Sequence, residues 1–257
     1  LLVHKGGLVK TKQFGNPTYV GDPINAVKIF NEKEADELIV LDIDATTDGI
    51  EPNFRLIAQF AVECRMPLCY GGGIKSVDHA KRIIGLGVEK VAISSAALEE
   101  PLLVSAIAEA IGSQSVVVVL DVKQAAGGTA VEVRTHNGKK TTGKLAEPLA
   151  AEIEQLGAGE IVINSIDRDG LMNGYDLSLA TRMRAATRLP MTILGGAGSL
   201  ADIGALINAC GVVGASAGSL FVFKGAKRAV LINYPSQAQK DEIIRSSLQR
   251  TNTTSTT

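Results

Sequence analysis

Five carboxylates stand where short apolar runs end. Asp42 and Asp44 close ELIVLDID (37–44), Asp121 closes SVVVVLD, and Asp167 and Asp169 follow EIVINS. A carboxylate at the end of a buried strand is placed to move a proton to or from a bound molecule. Small-residue turns recur beside them, in YGGGIKS, AISSAALEEP, LGGAGS and ASAGSLF. Such turns let backbone N–H groups approach an anion, and a following helix N-terminus adds partial positive charge. Gly73, Ser94 and Ser95 would form one phosphate cradle, and Gly170, Gly196, Gly218 and Ser219 a second. Two cradles suit a small molecule with a phosphate at each end. Any one of these glycines, taken alone, also reads as a residue that permits a tight turn.

The elements that must position these groups follow from the pattern of apolar residues. Runs such as ELIVLDID, KVAISS, SVVVVLD and EIVINS are apolar almost throughout, as strands buried on both faces are. Between them lie amphipathic stretches. DPINAVKIFNEKEA has Asp22 as N-cap and Pro23 at the first helical position, and PLLVSAIAEAIG opens on Pro101 and closes on Gly112. Eight β units alternating with helices predict an α/β fold, a (β/α)8 barrel of parallel strands whose first strand is cut short. Asn137-Gly138 within GTAVEVRTHNGKKTTG predicts a β-hairpin inserted after the fifth strand. A single domain is expected over residues 1–250, with half-barrels at about 1–113 and 114–235 and a C-terminal helix to 250. A disordered tail is expected over 251–257.

An internal repeat is the strongest signal. Shifted by 123 positions, Ile43-Asp44 falls on Ile166-Asp167, Pro67 on Pro190, Gly72-Gly73 on Gly195-Gly196 and Ser76 on Ser199. Shifted by 119, Leu1-Leu2-Val3-His4 falls on Leu120-Asp121-Val122-Lys123, so one half keeps an acid where the other has Leu2. In a doubled barrel the turns after strands three, four, seven and eight share the C-terminal mouth, with the cradles on opposite sides. Strands one and five lie midway, which makes Asp121 the leading catalytic candidate. Asp44 and Asp167 read better as structural acceptors of loop amides, and Asp169 fits either role. Lys10, just past strand one, is a phosphate ligand or a solvated cation. At the other mouth Glu37, Lys90 and Glu160 each precede an even-numbered strand. Alternate strands feed one interior layer, so these three could close that end as a ring of paired charges; solvated strand starts are the alternative.

Bulk properties narrow the partners. The chain has 257 residues, 46% hydrophobic and 21% charged, with a net charge of −1. That balance gives no reason to expect nucleic acid or an anionic membrane. No apolar run approaches the roughly 18 residues that span a bilayer. Cys64, Cys69 and Cys210 are an odd number without metal-ligand spacing. Buried free thiols in a reducing cytoplasm are therefore expected, and neither metal nor cofactor.

YGGGIKS, AISSAALEEP, VVVVLDVK, EIVINSIDRDGLMNGYD, LGGAGS and ASAGSLF, in this order, closely resemble the cyclase subunit of imidazole glycerol phosphate synthase over about 225 residues. The resemblance implies a barrel paired with a glutaminase subunit. Ammonia from that subunit would pass a charged gate and react with a bis-phosphate aminoimidazole-carboxamide ribonucleotide. By position, Glu37, Lys90 and Glu160 match three of four gate residues, and the fourth, an Arg, would precede Leu1. Lys10 could join the phosphate ligands, while Gly73, Ser94, Ser95, Asp169, Gly170, Gly196, Gly218 and Ser219 match the family's phosphate sites, and Asp121 its general base. The family usually has Asn-Thr at 94–95, and its first strand ends in LDV, whose Asp is the general acid. Here that position is Leu2. The segment FGNPTYVGDPINAVKIFNEKEADELIVLDID is more similar to cyclase-like paralogues found with a glutaminase-like protein and an N-acetyl sugar amidotransferase. That resemblance implies ammonia relay for an amidino sugar. A true histidine-pathway cyclase with another acid, and a non-catalytic phosphate-binding barrel, are the alternatives.

Overall fold

The computed structural model describes residues 1–125 and 127–253, with side chains through residue 247. The chain opens as an antiparallel meander, β1 (Leu2–His4), β2 (Gly7–Lys12) and β3 (Gly15–Gly21), followed by α1 (Pro23–Glu32) and β4 (Leu38–Asp42). Next come α2 (Ala45–Asp48), α3 (Phe54–Glu63), β5 (Leu68–Gly71), α4 (Val77–Gly85), β6 (Lys90–Ile93), α5 (Ser95–Glu99) and α6 (Leu102–Ile111). A 3-10 turn at Ser113–Ser115 leads to β7 (Val116–Gln124), β8 (Val131–Thr135), β9 (Lys140–Leu145), α7 (Ala146–Gln155) and β10 (Glu160–Ser165). The chain continues with α8 (Leu177–Ala186), β11 (Met191–Leu194), α9 (Leu200–Cys210), β12 (Gly214–Ser216), α10 (Ser219–Val222), the pair β13 (Phe223–Lys224) and β14 (Ala229–Val230), and α11 (Gln237–Thr253). α11 runs three residues past its expected end at 250, and residues 254–257 of the expected tail lie outside the described residues.

Strands β1, β4, β5, β6, β7, β10, β11 and β12 pair in parallel in that order, the arrangement of a (β/α)8 barrel. The helices begin where the sequence places their caps. Asp22 accepts from the Asn25 N–H at 2.8 Å with Pro23 next in line. Ser76 caps α4, and Ser199, its repeat mate, caps α9 in a reciprocal box with Asp202.

Hydrophobic side chains divide into two clusters. The larger fills the space between strands and helices, with Val27, Phe60, Ile83, Val104, Leu120, Ile161 and Met183 fully enclosed. The smaller lies inside the barrel, where Cys69, Ala92, Val117, Val119 and Val162 pack with Ile39, Leu41 and Leu194. Two-residue alternation thus sends Val117 and Val119 inward and Val116, Val118 and Leu120 outward. All three cysteines are free; Cys69 is buried, but Cys64 and Cys210 are only half-buried, because they end α3 and α9 at the outer layer.

The hairpin expected after the fifth strand is β8–β9, whose turn puts His136, Asn137 and Gly138 at positive φ. An unexpected counterpart, β2–β3, follows β1. Each hairpin reaches across the mouth to the other half. Gln13 N–H donates to the Asp169 carbonyl at 3.0 Å, and Asn137 Nδ2 donates to the Ile43 carbonyl at 2.6 Å.

Candidate functional site

One cavity of about 470 Å³ runs along the barrel, touching Glu37, Glu160 and Thr192 at one end and Lys10, Asp121 and Asp169 at the other. At the N-terminal end Lys90 Nζ donates to Glu37 Oε1 at 2.9 Å and Glu160 Oε2 at 2.8 Å. Thr192 Oγ1 donates to the other Glu160 oxygen at 2.9 Å. Glu37, Lys90 and Glu160 therefore meet as one charged layer, with Thr192 from β11 as a fourth member the sequence reading missed. Burial disfavours the Lys90 ammonium, but its bonds to Glu160 and Glu37 outweigh that and raise its pKa. The apolar inner cluster lies above this layer.

Asp121 lies at the far end. It is half-buried in the cavity wall, and that burial, despite a hydrogen bond from Asn164 and with Asp169 adding repulsion, pushes the pKa up to about 7. Asn164 Nδ2 donates to Asp121 Oδ1 at 2.8 Å. A carboxyl poised near neutrality can both give and take a proton under physiological conditions. Leu2 lines the same cavity from β1 and brings no titratable group.

The other acids divide by role. Asp44 accepts from the Lys5 N–H and hydrogen-bonds His4 Nδ1, both at 2.7 Å, while Asp167 accepts from the Gln124 N–H at 2.8 Å. Lys5 and Gln124 are 119 positions apart and the two acids 123, so the same clamp appears once in each half. Asp42 Oδ1 caps the amides of Asp44 and Ala45, and burial raises its pKa. Asp169 Oδ2 accepts from Thr11 Oγ1 at 2.7 Å and the Phe14 N–H at 3.2 Å, pinning the first hairpin.

The expected cradle residues gather at this mouth, on two sides. Gly73, at φ +71°, lies against the Ile50 carbonyl and Ala45. Ser94 precedes α5 with its hydroxyl buried and unpartnered, and Ser95 Oγ accepts from the His136 N–H at 3.3 Å. Across the barrel, Gly170 and Gly196 have positive φ and no room for a Cβ, which would strike the Thr11 and Gly174 carbonyls. Gly218 and Ser219 open α10, and Lys10 Nζ fills the space beside Gly218 that a side chain would need. Lys10 is buried; that burial, partly offset by Asp169, lowers its pKa to about 8. It is thus an enclosed cation beside the second cradle, and the solvated reading of Lys10 does not hold. His136 and Asn137, from the second hairpin, also line the cavity and were missed as site residues; their turn signal Asn137-Gly138 was the pointer to them.

The alternating cavity residues, the doubled half-barrel and the paired mouth turns can be set against known proteins. The family model described as histidine biosynthesis protein matches residues 1–227. A Leptospira borgpetersenii protein provisionally named imidazole glycerol phosphate synthase subunit HisF is 56% identical over 243 residues, covering 95% of this chain and 96% of that protein. A Pseudomonas aeruginosa protein provisionally named subunit hisF2 is 50% identical, covering 91% and 93%. The Lactococcus lactis imidazole glycerol phosphate synthase subunit HisF is 39% identical over 201 residues, covering 78% of each. The chain belongs to the histidine biosynthesis protein family, among the HisF-type cyclase subunits of imidazole glycerol phosphate synthase.

Proposed function

We propose that this chain is the cyclase-like subunit of a glutamine amidotransferase pair, serving amidation of an N-acetyl sugar instead of histidine-pathway cyclisation. A glutaminase partner docks on the face carrying Glu37, Lys90 and Glu160, forming a heterodimer. Ammonia passes that ring and the apolar middle of the barrel and arrives beside Asp121. The opposite mouth keeps a bis-phosphate pattern, with Gly73, Ser94 and Ser95 on one side. Lys10, Asp169, Gly170, Gly196, Gly218 and Ser219 lie on the other. An N-acetyl sugar amidotransferase is the final acceptor's enzyme.

Leu2 carries this reading. In the family pattern an acid at that position works with the counterpart of Asp121, and losing one partner of such a pair costs about 10²–10⁴-fold. The provisionally named relatives are 50–56% identical to this chain. Four plainly named subunits are 36–39% identical, which supports a separate group.

The test is ammonia-dependent cyclisation of the histidine-pathway ribonucleotide by the full chain and by Leu2→Asp. Silence from the parent with activity in Leu2→Asp is expected. Parent turnover of roughly 1 s⁻¹ or more, ordinary for an enzyme, would end the sugar-amidation reading. One observation favours that rival: Asp42 lies in the strand beside β1, lines the cavity and has a raised pKa, as a replacement acid would. Asp42→Asn would then abolish turnover. A barrel that only binds phosphate would bind the ribonucleotide and turn over in neither form.

A further inference from the structure

Asn164 has a feature that the roles above leave unexplained. It is 6% exposed, its amide nitrogen donates to Asp121, and its amide oxygen is buried without a partner. Leaving a buried acceptor unsatisfied costs about 1–3 kcal/mol, so such atoms in a cavity wall point to a ligand that donates. Asp121 presents a second unmet demand. Among the described residues its carboxyl takes one hydrogen bond, from Asn164, and no cation pairs with it. The charged groups around it are committed elsewhere. Arg134, opposite Asp121 in the β7–β8 ladder, is drawn to Glu132 at 3.2 Å. Lys10 lies by Gly218 and Asp169, and Asp169 only adds negative charge near Asp121.

Two acceptors side by side, one of them a carboxylate, call for a small ligand with at least two N–H donors and positive charge. The route to them is lined by Leu41, Ala92, Val119 and Leu194, with the Lys90–Glu37–Glu160 charge cluster at its far end. An apolar stretch of that kind favours a neutral species in transit over an ion. We propose that the Asn164 amide oxygen and the Asp121 carboxylate form a binding site for ammonium, the last station of the axial passage. The proposal rests on the ammonia relay argued above and adds where the ammonia is held and by which atoms.

The chemistry balances without another reactant. Neutral ammonia reaching the station takes the proton of the Asp121 carboxylic acid; an O–H bond breaks and an N–H bond forms. The resulting ammonium is held by the carboxylate and by Asn164. Delivery reverses the transfer, returning the proton to Asp121 and freeing the ammonia lone pair for attack. A carboxyl that titrates near neutrality is suited to both directions. Asn164 is a positioning residue: it orients the carboxylate and supplies the second acceptor.

The test follows the Asp121 carboxyl carbon by NMR through a pH titration, its signal assigned by its loss in Asp121→Asn. Ammonium chloride is compared with sodium chloride at equal ionic strength. A ligand that binds only the ionised carboxyl lowers its midpoint by about one unit at tenfold its dissociation constant. That fall is expected with ammonium and not with sodium. Asn164→Leu is expected to abolish the difference, and Asn164→Thr, which keeps an acceptor, to retain part of it. An equal shift with both salts, no shift with ammonium, or an undiminished ammonium shift in folded Asn164→Leu would overturn the site. Because no turnover or partner is needed, cyclase activity would sink the sugar-amidation reading while leaving this result standing, and the reverse holds too.

Discussion

Replacing Asp121 by Asn removes a carboxyl whose pKa is pushed from 3.8 up to about 7 by burial. The sign follows from linkage. Well below pH 3.8 the carboxyl is protonated in both folded and unfolded chains and costs nothing. As pH rises toward 7 the unfolded chain ionises while the folded chain holds its proton, so stability falls; above 7 the penalty is constant. About three units at 1.36 kcal/mol each set a ceiling of about 4 kcal/mol. The carboxyl is partly open to the cavity, and solvent screening brings the expectation to about 2–4 kcal/mol. Asp121→Asn keeps the acceptor for Asn164 Nδ2, so the hydrogen bond is not lost with the charge. Urea unfolding of parent and variant every half unit from pH 4.5 to 8.5 reads the difference directly. The gap should be smallest at the acid end and widen up to about pH 7, leaving the variant more stable at pH 8. Parallel profiles, or a variant less stable at pH 8, would refute the claim that the fold carries a strained acid at this position.

Other expectations rest on separate contacts. Lys90→Met leaves Glu37 and Glu160 facing each other without their shared cation and should cost about 1–3 kcal/mol at pH 7; adding Glu160→Gln should recover part of it in the same denaturation assay. Asp169→Ala removes the acceptor for Thr11 and Phe14, and hydrogen exchange over residues 7–21 should accelerate by roughly 5- to 100-fold, equivalent to about 1–3 kcal/mol of local stability. Inorganic phosphate binding should weaken as pH rises through about 8, where Lys10 loses its proton; calorimetry of Lys10→Met, weaker throughout, should show a flatter profile across that range.

Much of the fold could be read because parallel strands buried on both faces leave long apolar runs, and the repeat fixed their correspondence. The first hairpin escaped. Its turn lacks Asn-Gly, and Gln13 and Phe14 adopt positive φ although neither residue type favours it. The available signal was the repeat itself, since Gly15 falls on Gly138 at the same shift of 123. Acids at strand ends were legible, but not their division of labour, which depends on the amides around them: Asp44 and Asp167 are satisfied by backbone donors and Asp121 is not. Thr192 and Asn164 went unseen because neutral side chains attract no notice in a one-dimensional reading. Extending the alternation from Glu160 through Val162 to Asn164 would have placed Asn164 on the inner wall.

The crossed hairpins also set a timetable. Thr11 and Phe14 meet their partner Asp169 across 158 and 155 positions of chain, and Asn137 reaches Ile43 across 94. Contacts so distant in sequence require a large loop to close before they contribute anything. During synthesis the first hairpin emerges long before Asp169 exists to receive it. The ring at the other mouth must wait as well, for Glu160. An isolated first half-barrel is therefore expected to present an unpinned hairpin and an incomplete mouth, and the binding site becomes the last part of the molecule to acquire its final shape.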